Sequence, residues 1–321
     1  MNAAIAQVST QALGPVGSLV DTVRALAREG SSENTRRAYA SDWRAFSSWC
    51  SVAGLEALPA LPSTLAVYVA HLVEAGRKAS TITRAVAAIS AAHKAAGHAS
   101  PAADEAVRQV VKGARRALGT RPAQKAPVKV DDLRVLVATL DASLASLRDR
   151  ALLTVGFAGA FRRSELVALD VADIEETRDG LRITIRRSKT DQDGAGQVVG
   201  IPYGSDPATC PVRAVRAWKD AAGIVEGRLF RSVNRHGQAG EALSDRAVAI
   251  VVKRAATAAG LDASRFAGHS LRAGLVTTAA KAGKALDVIM RQTRHRSTAV
   301  VLGYIREAGL FENNAAAGIG L

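Results

Sequence analysis

The hydrophobic and polar positions of this 321-residue chain repeat mostly with the period of an α-helix. The clearest case lies near the start, where Tyr39, Trp43, Phe46 and Trp49 fall on one face and arginines and serines on the other. Alanine is abundant and aromatic residues make up only 4% of the chain, which also favours helices. The first half is therefore predicted to be a bundle of helices whose aromatic residues form the core.

Capping residues, prolines and glycines set the bounds of the predicted helices. In the first half they indicate helices at 18–28, from the N-cap candidates at 31–34, at 63–74, from about residue 80, and at about 104–118. The second half is predicted to hold helices at 130–140, 147–159, 211–222, 244–259, 269–281, 285–294 and 297–308, with a further one beginning near Arg162.

The period changes to alternation at 181–187 and 197–203, which predicts a β-hairpin, with a short third strand at 171–175. Two prolines and two cations interrupt the helical pattern near residues 119–127 and indicate a linker. The predicted organisation is a disordered start at 1–17, a helical domain at 18–118, a linker at 119–128 and a second domain at 129–321. The fold class is mainly α with a small β-hairpin or sheet, in two domains.

The charge indicates a polyanionic partner. Residues 1–127 contain 15 basic and 8 acidic residues, and residues 128–321 contain 28 and 21, so each half has an excess of seven positive charges. Both halves are thus suited to nucleic acid, although a merely basic soluble protein would show the same balance. Cys50 and Cys210 lie far apart, which favours a reducing, cytoplasmic location without disulfides or a zinc site. Neither a membrane-spanning run nor a secretion leader is expected.

The second half contains residues that can cut a nucleic-acid backbone by covalent catalysis. Nucleases often offset the charge of a phosphodiester with metal ions held by carboxylates, and the sequence shows no carboxylate cluster of that kind. Two arginines can clamp a phosphate instead, a tyrosine can attack it, and histidines and a lysine can move protons. In chain order these candidates are Arg162, Lys189, His269, Arg272, His295 and Tyr304. Glu165, three residues after Arg162, can orient that arginine.

Each residue alone is a weak signal, but the ordered set after a basic helical domain resembles the tyrosine recombinase (phage integrase) family. The resemblance covers about residues 18–310, and the runs 268–272 and 303–306 look most like those of its Cre-type members. It implies a site-specific recombinase that needs no metal, ATP or other cofactor. Tyr304 would form a 3′-phosphotyrosyl link, Arg162 and Arg272 would stabilise the transition state, and His269 would take part in proton transfer. Lys189 would protonate the 5′ oxygen, His295 would contact the phosphate, and Glu165 would support the site.

The resemblance also implies the partners. The two domains would close as a C-shaped clamp on double-stranded DNA, and four protomers would exchange strands at two inverted-repeat sites through a Holliday junction. The 309–321 tail would dock on a neighbouring protomer, and the enzyme would work in the cytoplasm on the nucleoid. The residues expected to contact DNA are Arg36, Arg37, Arg44, Arg84 and Arg246.

Three alternatives remain open at this stage. A type IB topoisomerase shares the tyrosine chemistry but would act without sequence preference. A non-catalytic DNA-binding protein would share the charge but not need the catalytic set. Within the set, Arg162 and Arg163 are adjacent, and the spacing to Glu165 favours Arg162 as the catalytic arginine.

Overall fold

The computed structural model describes Gly30 and residues 32–119, 125–186 and 196–308, with side chains as far as Ile305. The chain separates into two compact units, Met1–Ala123 and Gln124–Leu321. Three predictions lie outside the described residues: the helix at 18–28 with the disordered start before it, the hairpin tip with Lys189, and the docking of the tail at 309–321. Among the residues that are described, no helix is long and apolar enough to cross a membrane.

The first unit is the helical bundle that the sequence predicts. Ser32 caps the first helix by accepting a hydrogen bond from the Thr35 amide, and Asp104 caps the fourth in the same way from Ala106. Gly54 ends the first helix in the left-handed conformation. The described helices are α1 (Glu33–Ala53), α2 (Pro62–Glu74), α3 (Ala79–Ala95) and α4 (Glu105–Leu118).

The core of this unit is built around Phe46, which is fully buried and contacts Trp43, Trp49 and Tyr68. His93 is buried beside them. Its Nε2 accepts a hydrogen bond of 2.8 Å from the Ala60 amide, and its Nδ1 lies 2.8 Å from the carbonyl of residue 89. Since a carbonyl can only accept, Nδ1 carries the proton, and His93 is a packing group with both ring nitrogens satisfied.

The second unit is arranged around a buried helix. The apolar run of α6 (Leu144–Ala158) is surrounded on nearly every side, so that even Arg148 and Asp149 are buried and paired with each other. The described helices of this unit are α5 (Val130–Ala138), α6 (Leu144–Ala158), α7 (Arg163–Ala168), α8 (Pro211–Ala222), α9 (Asp245–Ala258), α10 (Ser270–Lys281), α11 (Leu286–Thr293) and α12 (Thr298–Ala308).

A three-stranded antiparallel sheet completes the unit, in the order β1 (Ile174–Thr177), β2 (Gly180–Ile185), β3 (Gln197–Pro202). The strand predicted at 171–175 begins later than expected, because residues 171–173 form a short 3₁₀ turn. A second sheet, β4 (Arg231–Val233) and β5 (Ala239–Ala242), was not predicted, since strands this short show almost no alternation.

Close packing fixes the start of α10, which carries Arg272 and directly follows His269. The amide of Val128 donates to the Ser270 carbonyl at 2.9 Å, which holds the beginning of the unit against this helix. Gly274 makes the contact possible, because a Cβ there would overlap the Val128 carbonyl oxygen. On α11, Gln292 donates to carbonyls at the end of α6 and on β3.

Candidate active site

The turn between α6 and α7 presents Arg162 and its carboxylate partner. Glu165 is almost fully buried, and its Oε1 accepts from Arg162 Nη1 at 2.6 Å. Its Oε2 accepts from the Arg162 backbone amide at 2.9 Å. The three-residue spacing predicts the contact between the two side chains. Because Glu165 accepts two hydrogen bonds from Arg162, it fixes both the main chain and the side chain of that arginine.

Arg272 lies in the first turn of α10, with 6% of its surface exposed. Its Nη1 donates to the Ala160 carbonyl at 2.6 Å. Its Nη2 is buried and has no hydrogen-bond partner among the described residues. A buried donor without a partner costs free energy, about 1–3 kcal/mol, unless a ligand accepts from it. The Arg272 guanidinium is therefore fixed by a hydrogen bond from Nη1, while Nη2 is available to donate to a ligand.

A third arginine, Arg294, joins the site although the sequence analysis did not select it. Its Nη1 donates to the carbonyls of Gly159 and Gln292, both at 2.9 Å. Its Nη2 donates to the Ala160 carbonyl and to Glu165 Oε2, both at 3.1 Å. The sequence offered no clear signal, since the helix predicted at 285–294 includes this arginine, whereas α11 ends at Thr293.

The site carries an excess of positive charge that shifts its pKa values. Burial, together with the charges of Arg162 and Arg294, lowers the pKa of Arg272 to about 9. Burial also lowers the pKa of Arg294. Arg272 still remains charged at neutral pH, and an approaching anion would relieve the repulsion that lowers its pKa.

His295 and Tyr304 lie side by side, with ring centroids 6.4 Å apart. Burial and the charges of the three arginines lower the pKa of His295 to about 4, so the ring is neutral at neutral pH. The Thr293 hydroxyl donates to the Ile289 carbonyl at 2.7 Å and also lies 2.7 Å from His295 Nδ1. Because a hydroxyl has one hydrogen, Nδ1 must carry the ring proton, and Nε2 is an acceptor.

Tyr304 reaches this cluster from α12, where it is half-buried against Val276 and Ile289. It is close enough to Arg272 to act on that residue's pKa. The structure thus brings together five of the residues that the sequence analysis selected: Arg162, Glu165, Arg272, His295 and Tyr304.

For the other two selected residues the structure shows less. His269 is exposed directly before α10. Lys189 lies outside the described residues, but the base of its hairpin is anchored: Arg186 Nε donates to Asp173 at 2.6 Å, and Nη1 donates to Asp170 at 3.0 Å.

Arg163, the alternative to Arg162, faces another way. Its Nη2 lies 3.7 Å from a carboxylate oxygen of Asp245 at the start of α9. Its side chain also passes directly over Gly268, where a Cβ would overlap it. The geometry therefore favours Arg162 as the arginine of the site.

Comparison with known proteins identifies the family of the chain. The Phage integrase family matches residues 127–309, and its N-terminal SAM-like domain matches residues 23–99. The chain belongs to the phage integrase family. It is 43% identical over 289 residues to a XerD-homologue integrase/recombinase of Selenomonas ruminantium, covering 88% of this chain and 84% of that one. It is 29% identical to the XerC tyrosine recombinase of Mycobacterium tuberculosis over 288 residues, covering 87% and 90% of the two chains.

The fold also matches a solved lambda integrase tetramer bound to a Holliday junction, with a TM-score of 0.59. The identity there is 17%, and the match covers 92% of this chain and 78% of that one. The mainly helical two-domain architecture is therefore that of the family, and the chain is a site-specific tyrosine recombinase.

The arginines expected to meet DNA in the helical domain of this recombinase have internal partners. Arg84 makes two hydrogen bonds to Asp42, at 2.7 and 3.0 Å, so part of its donor capacity is already used. Arg37 contacts Asn34, and Arg44 contacts the Ala40 carbonyl. Arg36 and, in the catalytic domain, Arg246 are exposed.

The helical domain also has a basic pocket that the sequence analysis did not select. It has a volume of about 350 Å³ and is lined by Lys112, Arg115, Arg116 and Gly119 at the end of α4. No group of three or more His, Cys, Asp or Glu side chains that could hold a metal ion occurs within the described ranges.

Proposed function

We propose that this recombinase cuts DNA with Tyr304 and holds the scissile phosphate with Arg162 and Arg272. The observation that carries the assignment is the buried Nη2 of Arg272, which lacks a partner in the described part of the chain and lies in a cationic site beside Tyr304. A non-bridging phosphate oxygen is the acceptor that this nitrogen requires. Arg162, aligned by Glu165, supplies donors for the second oxygen.

In the proposed step, Tyr304 Oη attacks phosphorus and the bond to the 5′ oxygen breaks. The tyrosine proton passes to His269, and Lys189 gives a proton to the departing 5′ oxygen. The product is a 3′-phosphotyrosyl link and a free 5′-hydroxyl. A 5′-hydroxyl from another strand reverses the step, so the bond energy is kept and no cofactor is needed.

The position of the ring proton limits how His295 can contact a phosphate. The neutral ring keeps its proton on Nδ1 for Thr293, so Nε2 can donate to a phosphate oxygen only when the ring is protonated. Three neighbouring arginines oppose protonation, and a bound phosphate would favour it. The role of His295 as a phosphate contact therefore depends on the presence of DNA.

The proposed partner is double-stranded DNA with an inverted repeat, bound by a homotetramer at two sites and resolved through a Holliday junction. The lambda integrase tetramer on such a junction supports this, as does the positive charge of both halves of the chain. In the helical domain Arg36, Arg37, Arg44 and Arg84 would contact the DNA, and in the catalytic domain Arg246 would do so. We place this work in the cytoplasm on the nucleoid. A finer likeness to Cre stays a prediction, as do the C-shaped clamp and a tail docked in trans.

The test is to trap the covalent link. The protein is mixed with a library of duplexes that carry random cores and a trapping nick, without metal or ATP. Detergent is added, and protein-linked DNA is recovered and sequenced, with Tyr304→Phe alongside. We expect adducts that require Tyr304 and share an inverted repeat.

Other outcomes would point elsewhere. Adducts without a shared sequence would favour topoisomerase behaviour. Salt-sensitive binding without any adduct would contradict the proposed chemistry. Tyr203→Phe is a matched control, because Tyr203 is exposed and its hydroxyl donates to Glu176 rather than to a residue of the candidate site.

A further inference from the structure

Arg294 occupies a backbone position that suits glycine. It follows α11 with φ 58° and ψ 39°, the left-handed region, where a side chain adds strain. Its side chain is nevertheless 5% exposed and turned inward. An arginine that is both strained and buried requires compensating contacts, and those of Arg294 include two groups of the active site, the Glu165 carboxylate and the Ala160 carbonyl.

These contacts link the supports of the two phosphate-binding arginines. Glu165 Oε2, which accepts from the Arg162 amide, also accepts from Arg294. The Ala160 carbonyl accepts from Arg272, and it also accepts from Arg294 Nη2, the nitrogen that donates to Glu165. Ala160 itself has φ 46°, so its carbonyl direction is set by an unusual backbone conformation that these donors hold. The Arg294 guanidinium also covers the Phe161 ring, with its central carbon 5.1 Å from the ring centroid.

We propose that Arg294 is a positioning residue for DNA cleavage, which sets Arg162 through the Glu165 carboxylate and Arg272 through the Ala160 carbonyl. The inference rests on the proposed function, because it concerns the same phosphate clamp. A lysine cannot replace this arginine, since one ammonium group does not reach four acceptors arranged around a planar fork. A glycine would suit the backbone but leave both supports without their shared donor.

A purely structural role would predict something different. Arg148 is the matched comparison, because it too is a buried arginine of this unit and pairs with Asp149 at 2.7 Å, on α6. If Arg294 served stability alone, Arg294→Met and Arg148→Met would lower stability and cleavage together. If Arg294 positions the clamp, only its own variants should lose cleavage beyond what their folded fraction explains.

The experiment measures the single-turnover rate of covalent adduct formation on the duplex recovered by the selection described above. Wild type, Arg294→Met, Arg294→Gly, Arg294→Lys and Arg148→Met are compared at saturating DNA, with DNA affinity measured separately. We expect the three Arg294 variants to cleave about 10- to 100-fold more slowly, the usual loss when a supporting contact of a site is removed. DNA affinity should change by no more than about threefold, under 0.7 kcal/mol. Arg148→Met should cleave at the wild-type rate once corrected for folded fraction.

A second readout needs no DNA. The ring proton signals of His295, assigned with a His295→Gln variant, are followed by NMR during an acid titration. Arg162, Arg272 and Arg294 are the charged groups that lower its pKa. Arg294→Gly removes one of them and should raise the midpoint, whereas Arg148→Met should leave it unchanged. An Arg294→Gly protein is the safeguard should Arg294→Met not fold, because glycine relieves the left-handed backbone.

The outcomes separate the two ideas. A wild-type chain that forms no adduct refutes the proposed function and the inference with it. If the wild-type chain cleaves and Arg294→Gly cleaves at a rate within about twofold of it, only the inference is overturned. Equal losses in Arg294→Met and Arg148→Met, or a loss confined to DNA affinity, would overturn it as well.

Discussion

Replacement of Glu165 by glutamine tests the centre of the site, because one buried carboxylate receives three donors there. Those donors are the Arg162 amide, Arg162 Nη1 and Arg294 Nη2, at 2.9, 2.6 and 3.1 Å. Glutamine has nearly the same shape but offers a single acceptor oxygen and turns an amide donor toward the others. At least one donor must lose its partner, and the contacts that remain no longer include the negative charge of the carboxylate.

The magnitude follows from burial. Breaking a buried ion pair by removing one charge costs about 3–5 kcal/mol, because the other charge remains buried. Glu165 is 1% exposed, so solvent does not screen the loss. For a domain of this size, about 2–4 °C per kcal/mol corresponds to a melting temperature lower by about 6–20 °C. We expect the catalytic domain to lose stability by that amount while the helical domain does not change.

The assay must report on one domain at a time. Pulsed hydrogen exchange along a urea titration does so, with peptides from α6 and α8 for the catalytic domain and from α2 for the helical domain. Glu176→Gln is the matched control, because Glu176 pairs with Arg216 at the surface and should change stability by less than about 1 kcal/mol. Equal urea midpoints for Glu165→Gln and wild type would refute the reasoning.

The same variant carries a pH signature. Burial acts to raise the pKa of Glu165, but the Arg162 amide and the charges of Arg294 and Arg162 outweigh it and lower the pKa below its ordinary 4.5. The carboxylate therefore stabilises the fold fully above pH 4.5, and this stabilisation is lost as the pH falls through the folded-state pKa. The gap between wild type and Glu165→Gln should be largest near neutrality and shrink in acid.

Three further predictions concern single positions. Arg162→Ala should abolish adduct formation but keep DNA binding, whereas Arg163→Ala should cleave at a near-normal rate; the reverse result would move the catalytic role to Arg163. Gly274→Ala should destabilise the catalytic domain by about 1–3 kcal/mol in urea titrations, because the new Cβ would overlap a backbone carbonyl. Gly113→Ala, in open space on α4, should instead stabilise the helical domain by about 0.5–1 kcal/mol. His295, with its pKa lowered to about 4, stabilises the fold above pH 6.5 and loses this effect toward pH 4. His295→Gln should therefore flatten the pH dependence of the free energy of unfolding across that range, and an unchanged dependence would contradict this reasoning.

Elements in which apolar residues repeat with a regular period over many positions were predictable from the sequence. Elements that depend on tertiary contacts were not. The helices α2, α4 and α8 begin and end within a residue or two of their predicted bounds, because prolines, caps and apolar faces act locally. The strands β4 and β5 depend on pairing with each other and leave no pattern in the sequence.

The site shows the same division. Glu165 and Arg162 are three residues apart, so their contact follows from helical spacing. Arg294 was missed because its four acceptors lie in the loop at 159–160, on α7 and at the end of its own helix, and only the fold brings these together. Arg84 was expected to contact DNA, and its additional pairing with Asp42, 42 positions away, could not be read from either helix.

The charge count of the site indicates which state it fits best. Within the described residues, Arg162, Arg272 and Arg294 surround the single carboxylate of Glu165, and His295 is neutral, which leaves a net charge of +2. A phosphodiester carries one negative charge, whereas the five-coordinate species formed by attack of a tyrosinate carries two. For the cleavage proposed above, the excess charge would match the transition state better than bound DNA. Burial, and after it the repulsion from Arg162 and Arg294, lowers the pKa of Arg272, and in the proposed reaction that repulsion would be relieved most fully as the second negative charge develops.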